Sequence, residues 1–561
     1  MTEEDATETL NGSQIVVRLL ERQGVRRVAG IPGGSILPFY DALSQSKLIR
    51  HVLARHEQGA GFIAHGAARA TGETAVCLAT SGPGVTNLLT AIADAKLDSI
   101  PLVAITGQVP TAMIGSDAFQ EVDTYGLSIP ITKHNFLVCS AAELLEVIPE
   151  AFRLAASGRP GPVLVDIPKD VQNERIEVTR WPEAGRRTPA PEADSEAIAR
   201  AVSLIDAAER SILYLGGGVT HSDGAALAVE LAEKGGLPTV MTLMALGTMP
   251  VDHALSLGLL GMHAARCTNM ALEECDLLIA VGARFDDRAT GKATAFCPRA
   301  KIIHIDIDRA ELDKIKTAHV GIHGDLGDVL GRVLPQIRRQ SRARWLARVG
   351  ELKAGFPLRT PGVDDLRTPY GLIRAVADNL TDEAIVATDV GQHQMWVAQT
   401  YPLRRPRQWL TSGGLGTMGF GLPTAIGAAM AQPERTVVCF SGDGSILMNI
   451  QELATAAEEG VNVKLVLMNN ASLGLVAQQQ NLFYGGRVFS SRFAVEPDFL
   501  RIAEGFGWRT LDLDSANNPR EALGEALSSR GPVFIHARID RSEQVLPMVV
   551  PSGANKDMIG D

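Results

Sequence analysis

The chain has 561 residues, a net charge of −11, and is 45% hydrophobic and 21% charged. At roughly 150 residues per domain, that length excludes a single small binding module and leaves room for three or four domains. The apolar content excludes disorder over most of the chain, and the acidic balance argues against a nucleic-acid partner. Cys77, Cys139, Cys267, Cys275, Cys297 and Cys439 are scattered without a CxxC pair. That reads as buried thiols in a reducing compartment rather than a disulfide framework or a zinc site. Met1 to Gln14 resembles neither a signal peptide nor a transit peptide, and no run of 18 apolar residues occurs. The expectation is a soluble cytoplasmic protein with no membrane span.

In chain order, 48–53 predicts a strand that leads into Arg55-His56-Glu57-Gln58-Gly59 and an Ala-rich helix. A strand over 74–79 follows, then a Ser-Gly-Pro-Gly turn at 81–84, a helix over 85–96 and a strand over 101–106. The stretch 180–195 loses apolar periodicity and reads as a linker. Short apolar runs at 211–215, 238–243, 276–281 and 301–307 predict the strands of a second block. A second linker is expected over 338–369, and a third block has strands over 384–388, 436–441, 462–468 and 533–537. Alternation of such strands with helical patterns predicts an α/β protein of three doubly wound parallel-sheet domains, 14–178, 195–337 and 368–545. Ligands in these sheets bind at the carboxyl ends of strands.

The strongest chemical signal is Ser441-Gly442-Asp443-Gly444-Ser445 followed by Asn469-Asn470. Asp443 and Asn470 close consecutive strands of one βαβ unit, with a helix expected over 446–459 between them. Their oxygens are hard ligands suited to Mg²⁺ or Ca²⁺. Gly442 and Gly444 allow close backbone approach, and the helix starting near Ser445 offers N–H groups to a phosphate. Gly-Asp-Gly alone reads more simply as a turn with Asp443 as a helix cap. With the paired asparagines at this spacing it resembles the thiamine diphosphate binding motif. The formal GxGxxG at Gly414, Gly416 and Gly419 lacks a preceding long strand and a following acidic residue, and reads as a loop passing close to a cofactor. Glu57 alone would be a first-turn glutamate favoured by the helix dipole. Beside a thiamine site, it is the candidate carboxyl group to exchange a proton with the aminopyrimidine N1′.

HEQGAG, SGPGVTN, GGLGTMGFGLPTAIGAA, SGDGS and NN occur in the order found in the thiamine diphosphate 2-ketoacid decarboxylases and carboligases. IPGGSILPFYDAL, DAFQEVD, GRPGPVLVDIPKDVQ, GARFDDRATGK and HIDID further resemble the acetolactate synthase (acetohydroxyacid synthase) catalytic subunits, above all the bacterial isozyme I large subunits. The resemblance runs over about 14–550. It implies pyrimidine-binding, central FAD-binding-like and diphosphate-binding domains in that order, with thiamine diphosphate, Mg²⁺ and an FAD that the net reaction does not use. It implies condensation of pyruvate with pyruvate or 2-oxobutanoate and loss of CO₂. It also implies a homodimer or homotetramer with the active site between chains, and a separate small regulatory subunit. By the same resemblance Asp443, Asn470 and the Ser472 carbonyl hold the metal, and Met418 is the wedge that bends the cofactor. Val390, Gly391, Gln392, His393 and Gly416 are further contacts. Gln120 lies near the reacting carbons. Arg159, Gly217, Thr242, Leu243, Arg284, Asp306, Asp325 and Met395 hold FAD, and Arg288 binds the second ketoacid's carboxylate. On the residues alone, Arg288 reads as a surface ion pair with Asp286 or Asp287. Gln479 stands where many relatives carry Trp.

Overall fold

The computed structural model describes residues 7–222 and 224–560. Three six-stranded sheets, every strand pairing parallel, form the cores of three successive α/β domains. In the first the strand order is Arg50–Leu53, Arg27–Gly30, Ala75–Ala79, Leu102–Gln108, Pro162–Pro168, His134–Leu137. The second runs Ser256–Leu259, Thr239–Met241, Ser211–Leu215, Leu277–Val281, Lys301–Asp306, Val320–His323. The third runs Trp409–Leu410, Ile385–Thr388, Val437–Gly442, Val463–Asn469, Val533–Arg538, Arg509–Asp512. Central strands such as Leu102–Gln108 and Val463–Asn469 are buried at every residue. This is why they read as continuous apolar runs rather than alternating ones: helices cover both faces of each sheet.

The first and third domains are locked together by the helices Glu57–Thr71 and Gly421–Ala431. Their backbones approach so closely that a Cβ on Gly66 would lie 1.9 Å from the Thr424 carbonyl oxygen, and one on Gly427 1.8 Å from that of Ile63. Small residues at both positions are therefore what lets the two helices pack this closely.

Four features depart from the sequence reading. The stretch read as a second linker contains the helix Ala343–Gly355, whose Trp345, Val349 and Leu352 are buried against the central sheet; its basic exposed face masks the apolar one. The single helix expected over 446–459 is instead a four-residue turn of helix, Asp443–Ile446, and a second helix, Glu452–Glu459. The segment after the last sheet strand returns to the central domain, where Val549 N–H bonds the Met262 carbonyl and Lys292 N–H that of Gly553. Five of the six thiols are buried, but Cys139 is exposed, and all six are free. Among the described residues no helix is long and apolar enough to cross a membrane.

Candidate active site

The strand ends of the third sheet build one connected group. Asp443 follows Val437–Gly442 and Asn470 follows the neighbouring Val463–Asn469. Asp443 Oδ2 accepts the Ser472 N–H at 2.9 Å, and Asn470 Nδ2 donates to Gln392 Oε1 at 3.0 Å. Ser445 Oγ donates to the Val390 carbonyl at 2.7 Å. Gly391 caps the helix Gln392–Thr400, and the His393 ring on that helix lies against Gly442. Burial lowers the His393 pKa to about 3, so the imidazole is neutral, and its Nε2 has no hydrogen-bond partner among the described residues. Burial also raises the Asp443 carboxyl to about 6, and among the described residues no cationic side chain pairs with it. A buried carboxylate next to a carboxamide, without a protein cation, is a donor set that fits a divalent metal.

The Gly-rich loop is tied to this group by a residue that the sequence reading passed over. Asp389 closes the strand Ile385–Thr388 and is fully surrounded by protein. It accepts Val390 N–H at 3.0 Å, Gly419 N–H at 2.8 Å and Ser441 Oγ at 3.2 Å. It thus fixes the residue after half-buried Met418 to the strand ends that carry Asp443 and Val390. An acid closing a strand was the available signal.

Glu57 is the first residue of its helix, behind His56, whose Nδ1 accepts the Gln58 N–H at 3.1 Å. The Glu57 carboxylate is half-buried and accepts from Asn87 Nδ2 at 3.0 Å. Asn87 lies on Pro83–Asp98, the helix entered through the Ser-Gly-Pro-Gly turn. Gly82 in that turn has φ +60° and meets the Gln120 backbone so closely that a Cβ would lie 2.8 Å from it. Gln120 itself has φ +60°. The structure therefore brings Gln120 and Glu57 to the same turn. Among the described residues no hydrogen bond or ion pair links Glu57 to Asp443 or Asn470 within the chain.

A third assembly is a cavity of about 490 Å³ at the strand ends of the central sheet. Arg159, Gly217, Thr242, Leu243, Arg284, Asp306, Asp325 and Met395 line it, together with Gly416, Arg288 and Gln479. The Thr242 hydroxyl oxygen is buried and has no partner among the described residues, and burial raises Asp306 to about 6. Arg159 donates to Glu311 Oε1 at 2.7 Å, and Arg187 meets Asp325 at 2.8 Å. A deep, Gly-edged cleft with an unsatisfied hydroxyl and several guanidinium groups fits an elongated anionic nucleotide. Arg288 sits one residue into the short helix Asp287–Thr290, with 66% of its side chain exposed. Its nearest acid is Asp287 at 3.8 Å, while Asp286 is spent capping Arg288 N–H and Ala289 N–H. The head group is thus nearly free. The returning C-terminal segment braces this turn, as Asn555 Nδ2 donates to the Ala289 carbonyl at 2.8 Å.

Comparison with known proteins agrees with this arrangement. Three family descriptions match in order: the thiamine pyrophosphate enzyme N-terminal TPP binding domain over residues 10–127, the central domain over 198–333 and the C-terminal TPP binding domain over 389–537. The chain is 60% identical over 550 residues to the acetolactate synthase isozyme 1 large subunit of Escherichia coli (strain K12), covering 98% of each. It is 46% identical to the isozyme 2 large subunit of the same organism, over 98% of this chain and 99% of that one. It is also 46% identical to the acetolactate synthase large subunit of Corynebacterium glutamicum, over 99% of this chain and 90% of that one. With all three domains present and the strand-end cluster intact, the chain is an enzyme of the thiamine pyrophosphate class and belongs to the acetolactate synthase large-subunit family.

Proposed function

We propose that the chain condenses pyruvate with a second 2-ketoacid, pyruvate or 2-oxobutanoate, with loss of CO₂. The products are 2-acetolactate or 2-aceto-2-hydroxybutanoate, the first common step of branched-chain amino-acid synthesis. The observation that carries this reading is the shared wall of the central cavity. A nearly free guanidinium, Arg288, faces the same space as Gly416, two residues from Met418 on the loop tied to the Asp443 cluster. A guanidinium fork there suits a ketoacid carboxylate.

In this reading Asp443, Asn470 and the Ser472 carbonyl hold Mg²⁺. The Gly442–Ser445 backbone, with Val390, Gly391, Gln392 and His393, receives the diphosphate end of thiamine diphosphate. Bound thiamine diphosphate supplies the electron sink for decarboxylation and carbon–carbon bond formation. Met418 would supply the apolar wedge against which the cofactor rests. Glu57, oriented by Asn87, exchanges a proton at N1′. Gln120 lies beside the reacting carbons, and Arg288 orients the second ketoacid. The central cavity takes FAD, whose oxidation state the reaction leaves unchanged. In this reading the working site forms between two chains of a cytoplasmic homodimer or homotetramer, with Glu57 of one chain facing Asp443 and Asn470 of the other. Several relatives are named large subunits, and a small regulatory subunit is the corresponding partner.

A colorimetric acetolactate assay with and without added FAD, run beside an oxygen electrode, tests the assignment. Acetolactate formed without oxygen uptake is expected. Oxygen consumption coupled to pyruvate loss would instead identify a pyruvate oxidase, and turnover of glyoxylate alone a glyoxylate carboligase.

A further inference from the structure

Asp512 and Asn469 end two strands of the third sheet, and His536 lies on the strand between them, in register with Asp512 and two residues before the end at Arg538, which pairs with Asn469. Asp512, Asp514 and His536 bring one atom each within 4.8 Å of one another, the outline of a cation site. The hydrogen bonds assign a different role. Asn469 Oδ1 accepts the Ala471 N–H at 3.0 Å, which fixes the carboxamide and leaves Nδ2 facing His536 Nε2 at 3.1 Å. A donor at that distance makes Nε2 an acceptor, so the neutral ring carries its proton on Nδ1. Nδ1 is 3.2 Å from Asp512 Oδ1 and donates to it. Both ring nitrogens are engaged, and Asp514 Oδ2 is occupied by the Arg538 N–H. No imidazole lone pair remains for a metal.

What results is a directional chain, from Ala471 N–H through Asn469 and His536 to a carboxylate that polarises the whole. It ends on a strained turn. Ala471 has φ +50°, a left-handed conformation that an alanine does not favour. On either side stand Asn470 and Ser472, the latter donating its N–H to Asp443. Asn470 Nδ2 is spent on Gln392, which leaves its oxygen as the atom open to a cation.

We propose that Asp512 and His536 are positioning residues for the metal turn. They hold the Asn469 carboxamide in the orientation that captures Ala471 N–H, and so keep Asn470 and Ser472 beside Asp443. This rests on reading that turn as the Mg²⁺ and diphosphate site.

The test uses Mn²⁺ as the probe, followed by electron paramagnetic resonance during titration of the full-length protein at saturating thiamine diphosphate. Flavin affinity and the melting temperature of the cofactor-free protein are measured alongside. His536→Leu, which removes the acceptor, should weaken Mn²⁺ binding ~10- to 100-fold, the usual effect of losing a partner that orients a metal ligand. His536→Gln restores an acceptor near the Nε2 position and should bind close to wild type. Flavin affinity should be unchanged in both. Asp512→Ala, at a partly exposed carboxylate, frees the ring to switch tautomers; it should weaken Mn²⁺ in the same direction and serves if His536→Leu does not fold. Wild-type Mn²⁺ affinity in Asp512→Ala and in folded His536→Leu overturns the proposal. So does a His536→Gln variant as weak as His536→Leu, or stoichiometric Mn²⁺ uptake without thiamine diphosphate that Asp514→Ala abolishes. Asp443→Ala separates the two levels. Lost Mn²⁺ binding there, with wild-type binding in both Asp512→Ala and folded His536→Leu, removes only the positioning role. Unchanged binding in Asp443→Ala removes the site reading and the positioning role together.

Discussion

Among the described residues Glu57 accepts one side-chain hydrogen bond, from Asn87, and Gln can accept the same bond, so Glu57→Gln removes the acid without removing the anchor. Carboligation should fall about 10²- to 10⁴-fold, the usual worth of one general acid–base group. Exchange of the thiamine C2 proton, followed by NMR, should slow in parallel; wild-type exchange would take the proton role away from Glu57. Arg288 is different, since among the described residues its head group has only weak partners, Asp287 at 3.8 Å and the Met262 Sδ at 3.7 Å. Arg288→Ala should cost about 1.5–3 kcal/mol of a charge-assisted contact, read as about a ten- to hundredfold rise in KM for 2-oxobutanoate with little change in melting temperature. A fall in kcat with KM unchanged would contradict carboxylate binding. Gln479 lines the same cavity and offers no ring to an extra methyl group. One methylene in an apolar pocket is worth about 1–3 kcal/mol of discrimination, so a competition assay should show comparable use of pyruvate and 2-oxobutanoate. A strong preference for 2-oxobutanoate that persists in Gln479→Ala would show that specificity lies elsewhere.

At the scale of elements, the Gly-rich loop owes its shape to the helix Pro83–Asp98 of another domain. Asp98 accepts Gly413 N–H at 3.1 Å and Gly414 N–H at 2.7 Å, and Arg69 meets it at 2.6 Å. Asp94 accepts Ser412 Oγ at 2.5 Å and Thr417 Oγ1 at 2.8 Å. Two carboxylates share one buried guanidinium. Burial, followed by the charge of Asp98, raises Asp94 from 3.8 to about 6. A raised pKa means that folding favours the protonated acid: its contribution to stability is full below about pH 4 and is lost as pH rises through about 6. Asp94→Asn mimics the neutral form, so its melting temperature relative to wild type should be higher at pH 7 than at pH 5. A difference independent of pH would place the charge elsewhere. None of this clamp was legible in the sequence, because Asp94 and Asp98 read as ordinary polar positions on an amphipathic helix and their partners on the Gly-rich loop lie more than 300 residues away. The strands were legible, because burial on both faces leaves unbroken apolar runs closed by Gly, Asp or Asn. Asp443 and Asn470 were legible because one βαβ unit brings them together locally. Asp389 and His536 were missed because their roles depend on which strands are neighbours, and that order is not written in any local pattern. The helix Ala343–Gly355 was hidden by its charge, although Trp345 is buried and donates Nε1–H to the Ser211 carbonyl at 3.0 Å. Trp345→Ala should cost about 3–5 kcal/mol, the range for emptying an aromatic core site, measured by chemical denaturation.

At the scale of the molecule, the proposed site draws on two domains, and in the proposed dimer it draws them from two chains. Glu57 and Gln120 sit at the strand ends of the first domain, and Asp443, Asn470 and Met418 at those of the third. Near them the chain exposes apolar side chains, including Phe119 at 88%, Leu415 at 42% and Met448 at 49%, which a second chain would cover in the proposed dimer. A two-fold dimer would set the first domain of each chain against the third domain of its partner and build two identical sites. That geometry makes an unusual prediction about two inactive proteins. Glu57→Gln and Asp443→Ala homodimers each carry two damaged sites. In a hybrid of the two, one site collects both lesions and the other collects neither. Random pairing makes half of the dimers hybrids with one sound site in two, so co-expression should restore about a quarter of wild-type activity from two dead parents. If Glu57 instead served the metal cluster of its own chain, every site in every combination would carry a lesion, and the mixture would stay as inactive as its components. Differently tagged chains and two-step affinity purification isolate the hybrid, whose activity should approach half that of wild type on the same argument. A hybrid without activity, in a preparation that still binds thiamine diphosphate at its intact Asp443, would place the proton donor and the metal within one chain.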